Sequence, residues 1–206
     1  MPEVVTTAQL DALLRHPGLW RARHAAPQAT FPTGYEALDR ALPGGGWPVS
    51  GLIETLVAGD GCGELRLWAP LIAQLTQAQT ARCCALICPP FELYAPAWQA
   101  LGVRTQRLLV VRGDQAGWAM EQSLLSGACA LVFGWIARLT MRELRRLALA
   151  AQKGAAIGVL IRPSGAAREH SAALLRLALE SAERRCTLRL LKGRGIAPQV
   201  IELELR

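Results

Sequence analysis

The sequence predicts an α/β domain with a mostly parallel central sheet, a short N-terminal helical arm and antiparallel strands toward the C-terminus. Three observations carry this. From Thr33 to Ile161, short unbroken apolar runs alternate with segments of helical period, the pattern of parallel strands covered by helices on both faces. Before Thr33 lies one helical stretch and then a proline-bearing segment without a clear period. After Ser171 the residues alternate apolar and polar, as in a half-exposed hairpin.

Residues 8–15, AQLDALLR, place leucine and alanine at helical spacing behind Thr6 or Thr7 as N-cap, and Pro17-Gly18 ends that helix. Residues 18–32, GLWRARHAAPQATFP, read as a linker or an arm over the main domain. The division is therefore an arm over 1–30 and a domain over 31–206. GYEALDRAL (34–42) is a short amphipathic helix, and GGGWPVSG (44–51) a turn cluster. LIETLVA (52–58) is a strand, followed by a helix over about 64–79. CCALIC (83–88) reads as a buried strand and YAPAWQALG (94–102) as a helix. RLLVVR (107–112) is a strand, AGWAMEQSLLSG (116–127) a helix, and ACALVFGW (128–135) a strand. TMRELRRLALAAQKG (140–154) is an amphipathic helix with threonine at its start and glycine past its end. AIGVLI (156–161) is a strand, and CTLRLLKG with PQVIELELR form a hairpin around KGRGIAP.

The chain has 206 residues and is 51% hydrophobic, enough for one substantial core. Apolar runs fall short of the roughly 20 residues a membrane span needs, and the first 18 residues lack the pattern of a secretory signal. The six cysteines show no CxxC spacing and read as reduced core thiols of a cytoplasmic protein, with no metal site. His16, His24 and His170 fall in or near loops without a neighbouring nucleophile. The net charge of +7 favours an acidic partner, nucleic acid or protein. Arginine-rich, alanine-rich usage is also what a GC-rich genome produces, so charge alone decides neither.

The stretch LVAGDGCGELRLW (56–68) is built like a phosphate-binding loop without its chemistry. Such a loop needs glycines that let backbone N–H groups face the phosphates, a lysine to neutralise them, and a hydroxyl for the metal. Here the first glycine position holds Ala58, the lysine position Glu64 and the hydroxyl position Leu65. A carboxylate beside a triphosphate is repulsive, and leucine ligates no metal.

The order of segments resembles the RecA family over about residues 31–192. The resemblance rests on TGYEALDRALPGGGWPVSGLIETL (33–56), CALICPPFELYAPAWQALGV (84–103) and RLLVVRGDQAGWAMEQSLLSGACALVFGWIARL (107–139). It implies a RecA-like three-layer domain. The family's metal-binding aspartate falls on Gly134 and its general base on Pro90. With Glu64 and Leu65 these departures imply a degenerate site: no enzyme, no catalytic residue, no cofactor and no bound metal. The family's two DNA loops are shortened to WIARLT and RPSGAAREHS, which leaves Arg162, Arg168, Lys192 and Arg194 as candidate contacts to DNA or an acidic partner.

The double proline after the second strand, together with PGLWRAR, narrows the resemblance to the ImuA family, a RecA-like and SulA-like group. That resemblance implies a non-catalytic adaptor in SOS mutagenesis, the damage-induced translesion DNA synthesis. Its expected partners are ImuB, RecA and an error-prone C-family polymerase, with residues 1–30 as the candidate interface for a partner or for self-association. Trp20, Arg21 and Arg23 are the candidate partner-binding residues. The alternative is a SulA-type cell-division inhibitor that binds the division GTPase FtsZ.

Overall fold

The computed structural model describes residues 29–80, 82–182, 185–193, 195 and 197–205. The expected helix over 8–15 and the linker up to residue 28 lie outside the described residues, as do Trp20, Arg21, Arg23 and Arg194.

The chain opens with β1 (Thr30–Phe31), α1 (Glu36–Ala41) and β2 (Trp47–Pro48), in which the two short strands pair antiparallel. There follow β3 (Gly51–Val57), α2 (Glu64–Gln77), β4 (Cys83–Ile87), α3 (Ala95–Ala100) and β5 (Leu108–Val111). Next come α4 (Ala116–Leu125), β6 (Cys129–Trp135), α5 (Met141–Lys153), β7 (Ile157–Pro163), β8 (Leu175–Ala182), β9 (Arg185–Lys192) and β10 (Gln199–Glu204). The last eight strands form one sheet in the order β10-β9-β8-β3-β7-β6-β4-β5. Strands β8 through β5 in that order are parallel, while β9 runs antiparallel to both β8 and β10.

One face of the sheet carries α2, α1 and α3. Leu38, Leu67, Trp68, Leu71 and Ile72 pack there on Ile53, Leu86 and Leu131. An aromatic chain runs through this layer. Trp47 stacks on Trp68 at 4.0 Å, Trp68 meets Phe133 edge-on at 5.8 Å, and Phe133 lies 6.0 Å from Trp135. The other face carries α4 and α5, whose Met120, Leu124, Leu144 and Leu147 pack on Leu52, Ala85, Val132 and Leu160.

The antiparallel third is built differently. Leu177 and Leu179 of β8, Leu188 and Leu190 of β9, and Ile201 and Leu203 of β10 all point into the α2 layer. The residues between them, Glu180, Arg189, Glu202 and Glu204, are exposed, and Arg189 pairs with Glu180 at 2.8 Å. Among the described residues no helix covers that face, where a polar set of side chains alternates with the apolar one and meets water. These observations correct the expectation of a RecA-like three-layer domain; the expected N-terminal helical arm lies outside the described residues. The described chain is a strand-rich mixed sheet whose antiparallel third is two layers deep.

Local devices fix the start of α5 and the middle of α2. In α5 the side chain of Thr140 accepts the Glu143 N–H at 3.3 Å, and Glu143 accepts the Thr140 N–H at 2.7 Å, a reciprocal capping box. In α2, Pro70 lies inside the helix and cannot donate to the carbonyl of Arg66. The hydroxyl of Tyr35 donates to that carbonyl instead, at 3.0 Å.

Candidate functional site

Residues 58–63 join the end of β3 to the start of α2. Gly61 and Gly63 hold left-handed φ values of 77° and 93°, which is why glycine stands at both. A Cβ on Gly63 would also lie 2.9 Å from Leu205. The turn is closed from within. Oε1 of Glu64 accepts the backbone N–H of Gly61 at 3.1 Å, and Glu64 is buried. Burial, and next the adjacent Glu64 carboxylate, push the Cys62 thiol up. A backbone donor that a phosphate-binding loop would offer to a ligand is thus taken by the chain's own carboxylate.

The neighbouring positions agree with that loss. A Cβ on Gly134 would lie 2.6 Å from Met120 Sδ, so a longer acidic side chain there needs the core to move. Beside the loop is a cleft of about 240 Å³ lined by Glu64, Arg66, Pro90, Phe91, Tyr94 and Trp135, among others. Its walls are aromatic and aliphatic, with the carboxylates of Glu64 and Glu92 and the guanidinium of Arg66.

Among the described residues, the basic residues singled out in the sequence differ in exposure. Arg162 is buried, at 3.2 Å from Glu54 Oε1 and 2.7 Å from Glu169 Oε2. It is therefore not available to nucleic acid or to an acidic partner, which corrects that expectation. Lys192 donates to the Ser171 carbonyl at 2.8 Å, and Arg168 is exposed in the turn after β7. The reading of the sequence missed the counter-charges of this cluster. Glu54, in the middle of β3, also pairs with Arg176 Nε at 2.5 Å, and Arg176 in turn holds the carbonyls of Ala166 and Glu169 at 2.7 and 3.0 Å. A charged residue inside the apolar run LIETL was the available signal.

Also missed was an apolar surface at the β5 side of the sheet. Phe91 and Tyr94 are 61% and 71% exposed, and Leu109 and Val110 of β5 are 47% and 41% exposed. Arg112, just past β5, donates to the carbonyls of Pro89 and Phe91 at 2.9 and 3.2 Å. It so ties the strand end to the aromatic loop. Among the described residues β5 pairs with β4 alone, so its outer edge is an open sheet edge.

No family model matches the chain. Three curated relatives do, each named cell division inhibitor SulA. The protein from Edwardsiella piscicida is 43% identical over 67 residues, 31% of this chain and 40% of its own length. That from Photorhabdus laumondii is 44% identical over 55 residues, 27% of this chain and 31% of its own. That from Pseudomonas aeruginosa is 30% identical over 101 residues, 48% of this chain and 63% of its own. The chain thus spans about a third to just under two thirds of the length of the curated relatives it matches. Among solved structures, the crystal structure of SulA from Pseudomonas aeruginosa aligns with a TM-score of 0.45 and 28% identity, over 54% of this chain and 97% of that one. The three curated relatives overturn the resemblance to the ImuA family. With it fall the adaptor role in translesion synthesis and the partners ImuB, RecA and a C-family polymerase. Among the described residues no helix is long and apolar enough to cross a membrane.

Proposed function

We propose that this chain is a non-enzymatic inhibitor of cell division that works in the cytoplasm by binding a protein, the division GTPase FtsZ. The observation that carries the proposal is the local identity of 30–44% to three relatives named as cell division inhibitors. The geometry supports binding over catalysis. Glu64 sits where a phosphate's counter-charge would be needed and takes the Gly61 N–H itself. Leu65 and Gly134 supply no ligand for a metal. Exposed aromatic side chains beside an open strand edge are suited to a protein partner.

Two measurements test this. Induced expression should turn dividing bacterial cells into filaments, and the purified chain should lower the assembly-dependent GTPase rate of FtsZ. Normal division at high expression, with FtsZ assembly unchanged at a molar excess of the chain, would reject the reading. A nucleotide-hydrolysis rate above background would reject the non-enzymatic part separately.

A further inference from the structure

We infer that Cys83 and Cys129 are a redox-active pair, converted by a low-molecular-weight disulfide such as oxidised glutathione into a disulfide that staples β4 to β6. The two residues are cross-strand neighbours, paired where both parallel strands begin. Their Sγ atoms lie 3.4 Å apart, close enough for one thiol to donate to the other. A disulfide brings its sulfurs to about 2 Å, so roughly 1.4 Å of approach is needed. The ladder has slack at this point. Cys83 pairs with Cys129 but Cys84 pairs with Leu131, so β6 carries one extra residue, Ala130, beside the pair. Both thiols lie on the face of the sheet that packs α4 and α5. Cys84, next in the chain, lies in the opposite layer, as strand alternation requires.

Exposure and charge set the order of events. Cys83 is half-buried and Cys129 buried, so a reagent meets Cys83 first. The guanidinium of Arg82 is fixed beside the pair, donating to the carbonyls of Cys129, Gly154 and Ala155 at 2.5, 3.0 and 2.9 Å. A cation so placed favours the thiolate, the nucleophilic form. The Cys83 thiolate attacks one sulfur of the reagent, forms a mixed disulfide and releases the first reagent thiol. Cys129 then gives up its proton, attacks Cys83 Sγ and breaks the bond to the second reagent sulfur, which leaves as a thiol. Two protein thiols and one reagent disulfide thus become one protein disulfide and two reagent thiols. Burial, then the bond to Cys83, push the Cys129 thiol up, while Arg82 works against them. The bond to Cys83 is lost once Cys83 is modified, and an attack within one molecule at this distance needs only a small thiolate fraction.

The test uses the full reduced chain and oxidised glutathione at pH 8. Remaining thiols are alkylated, and a digest made without reductant is read by mass spectrometry. The expected result is a linked peptide pair carrying Cys83 and Cys129, which dithiothreitol separates. Cys129→Ser should stop at glutathione held on Cys83, and Cys83→Ser should leave Cys129 reduced. Oxidation should also raise the melting temperature of the wild-type chain by at least about 3 °C more than that of C83S, because the bond closes a long ring in the unfolded chain. Glutathione retained on wild-type Cys83 with Cys129 still reduced would overturn the pair. So would a link through Cys84 in place of Cys129, or oxidation of Cys129 in C83S as fast as in the wild type. An equal change in melting temperature for the two chains would overturn the staple.

Discussion

The carboxylate of Glu64 accepts the backbone N–H of Gly61 at 3.1 Å, and so closes the turn between β3 and α2 on itself. The bond explains how a loop of glycines persists without a bound anion. It orders a left-handed turn and places a negative charge at the N-terminal end of α2, where the helix dipole favours it. Replacing Glu64 with alanine removes this bond and leaves a cavity. The expected loss of stability is about 1–3 kcal/mol, measured by urea denaturation. Glu64→Gln keeps an acceptor and should stay within about 1 kcal/mol of wild type. Neither variant should gain a thermal shift with ATP, since no lysine or metal ligand is restored.

Glu54 binds two guanidiniums, those of Arg162 and Arg176, in the centre of the sheet. Removing one partner of a buried ion pair leaves an uncompensated charge and typically costs about 3–5 kcal/mol. Glu54→Ala should therefore destabilise more than Arg162→Ala, because it strands two cations where the other change leaves Glu54 with Arg176. Chemical denaturation of the two variants ranks them. A smaller loss for E54A would show that Glu169 and the loop carbonyls suffice to hold both arginines.

Tyr35, Arg66 and Pro70 form a compensation that a double-mutant cycle can read. Tyr35→Phe deletes the donor to the Arg66 carbonyl and should cost about 1 kcal/mol. In a Pro70→Ala background the alanine N–H can donate to the same carbonyl, so the cost of Y35F should shrink. A coupling of about 0.5 kcal/mol or more is expected from the four stabilities. Additive effects would mean that the hydroxyl acts independently of the proline.

Elements and contacts differ in how far the sequence showed them. The bounds of α5 were legible, since Thr140 at its start and Gly154 past its end mark an amphipathic helix. Strand β8 was not, because SAALLRLALESA alternates like a strand but is composed of strong helix formers. The strands over 30–31 and 47–48 are too short to show any period. Arg162 read as a loop cation because its partner Glu54 lies 108 residues away, a contact that no local pattern reports. The family assignment failed for a related reason. Alternating apolar strands and helices constrain an architecture, and one architecture serves unrelated functions.

The cysteines give a prediction about reactivity. Burial pushes Cys84 and Cys129 up to about 12 and Cys186 up to about 11, so each stays protonated near neutral pH. The thiolate is the reactive form. In the native chain at pH 8, a disulfide-exchange reagent should therefore leave these three unlabelled, while denaturant exposes all six thiols. Mass spectrometry of the labelled peptides reads the pattern. Rapid native labelling of Cys129 would show that the ends of β4 and β6 open.

Glu143 makes the acid stability of α5 measurable. Its carboxyl is held below its ordinary value, first by the Thr140 hydroxyl and then by the Thr140 N–H. A carboxyl with a lowered value in the folded state stabilises above its unfolded value, and that contribution disappears as pH falls through the folded one. The capping box should therefore weaken below about pH 4, where the unfolded carboxyl takes up its proton. Thr140→Ala should cost about 1 kcal/mol at neutral pH. Because Glu143 is almost fully exposed, solvent screening makes the pH-dependent part smaller than that. Melting curves from pH 7 to pH 3 should show the wild-type and T140A proteins converging toward the acid end. Parallel curves across that range would mean that the Thr140–Glu143 pair contributes nothing that titrates.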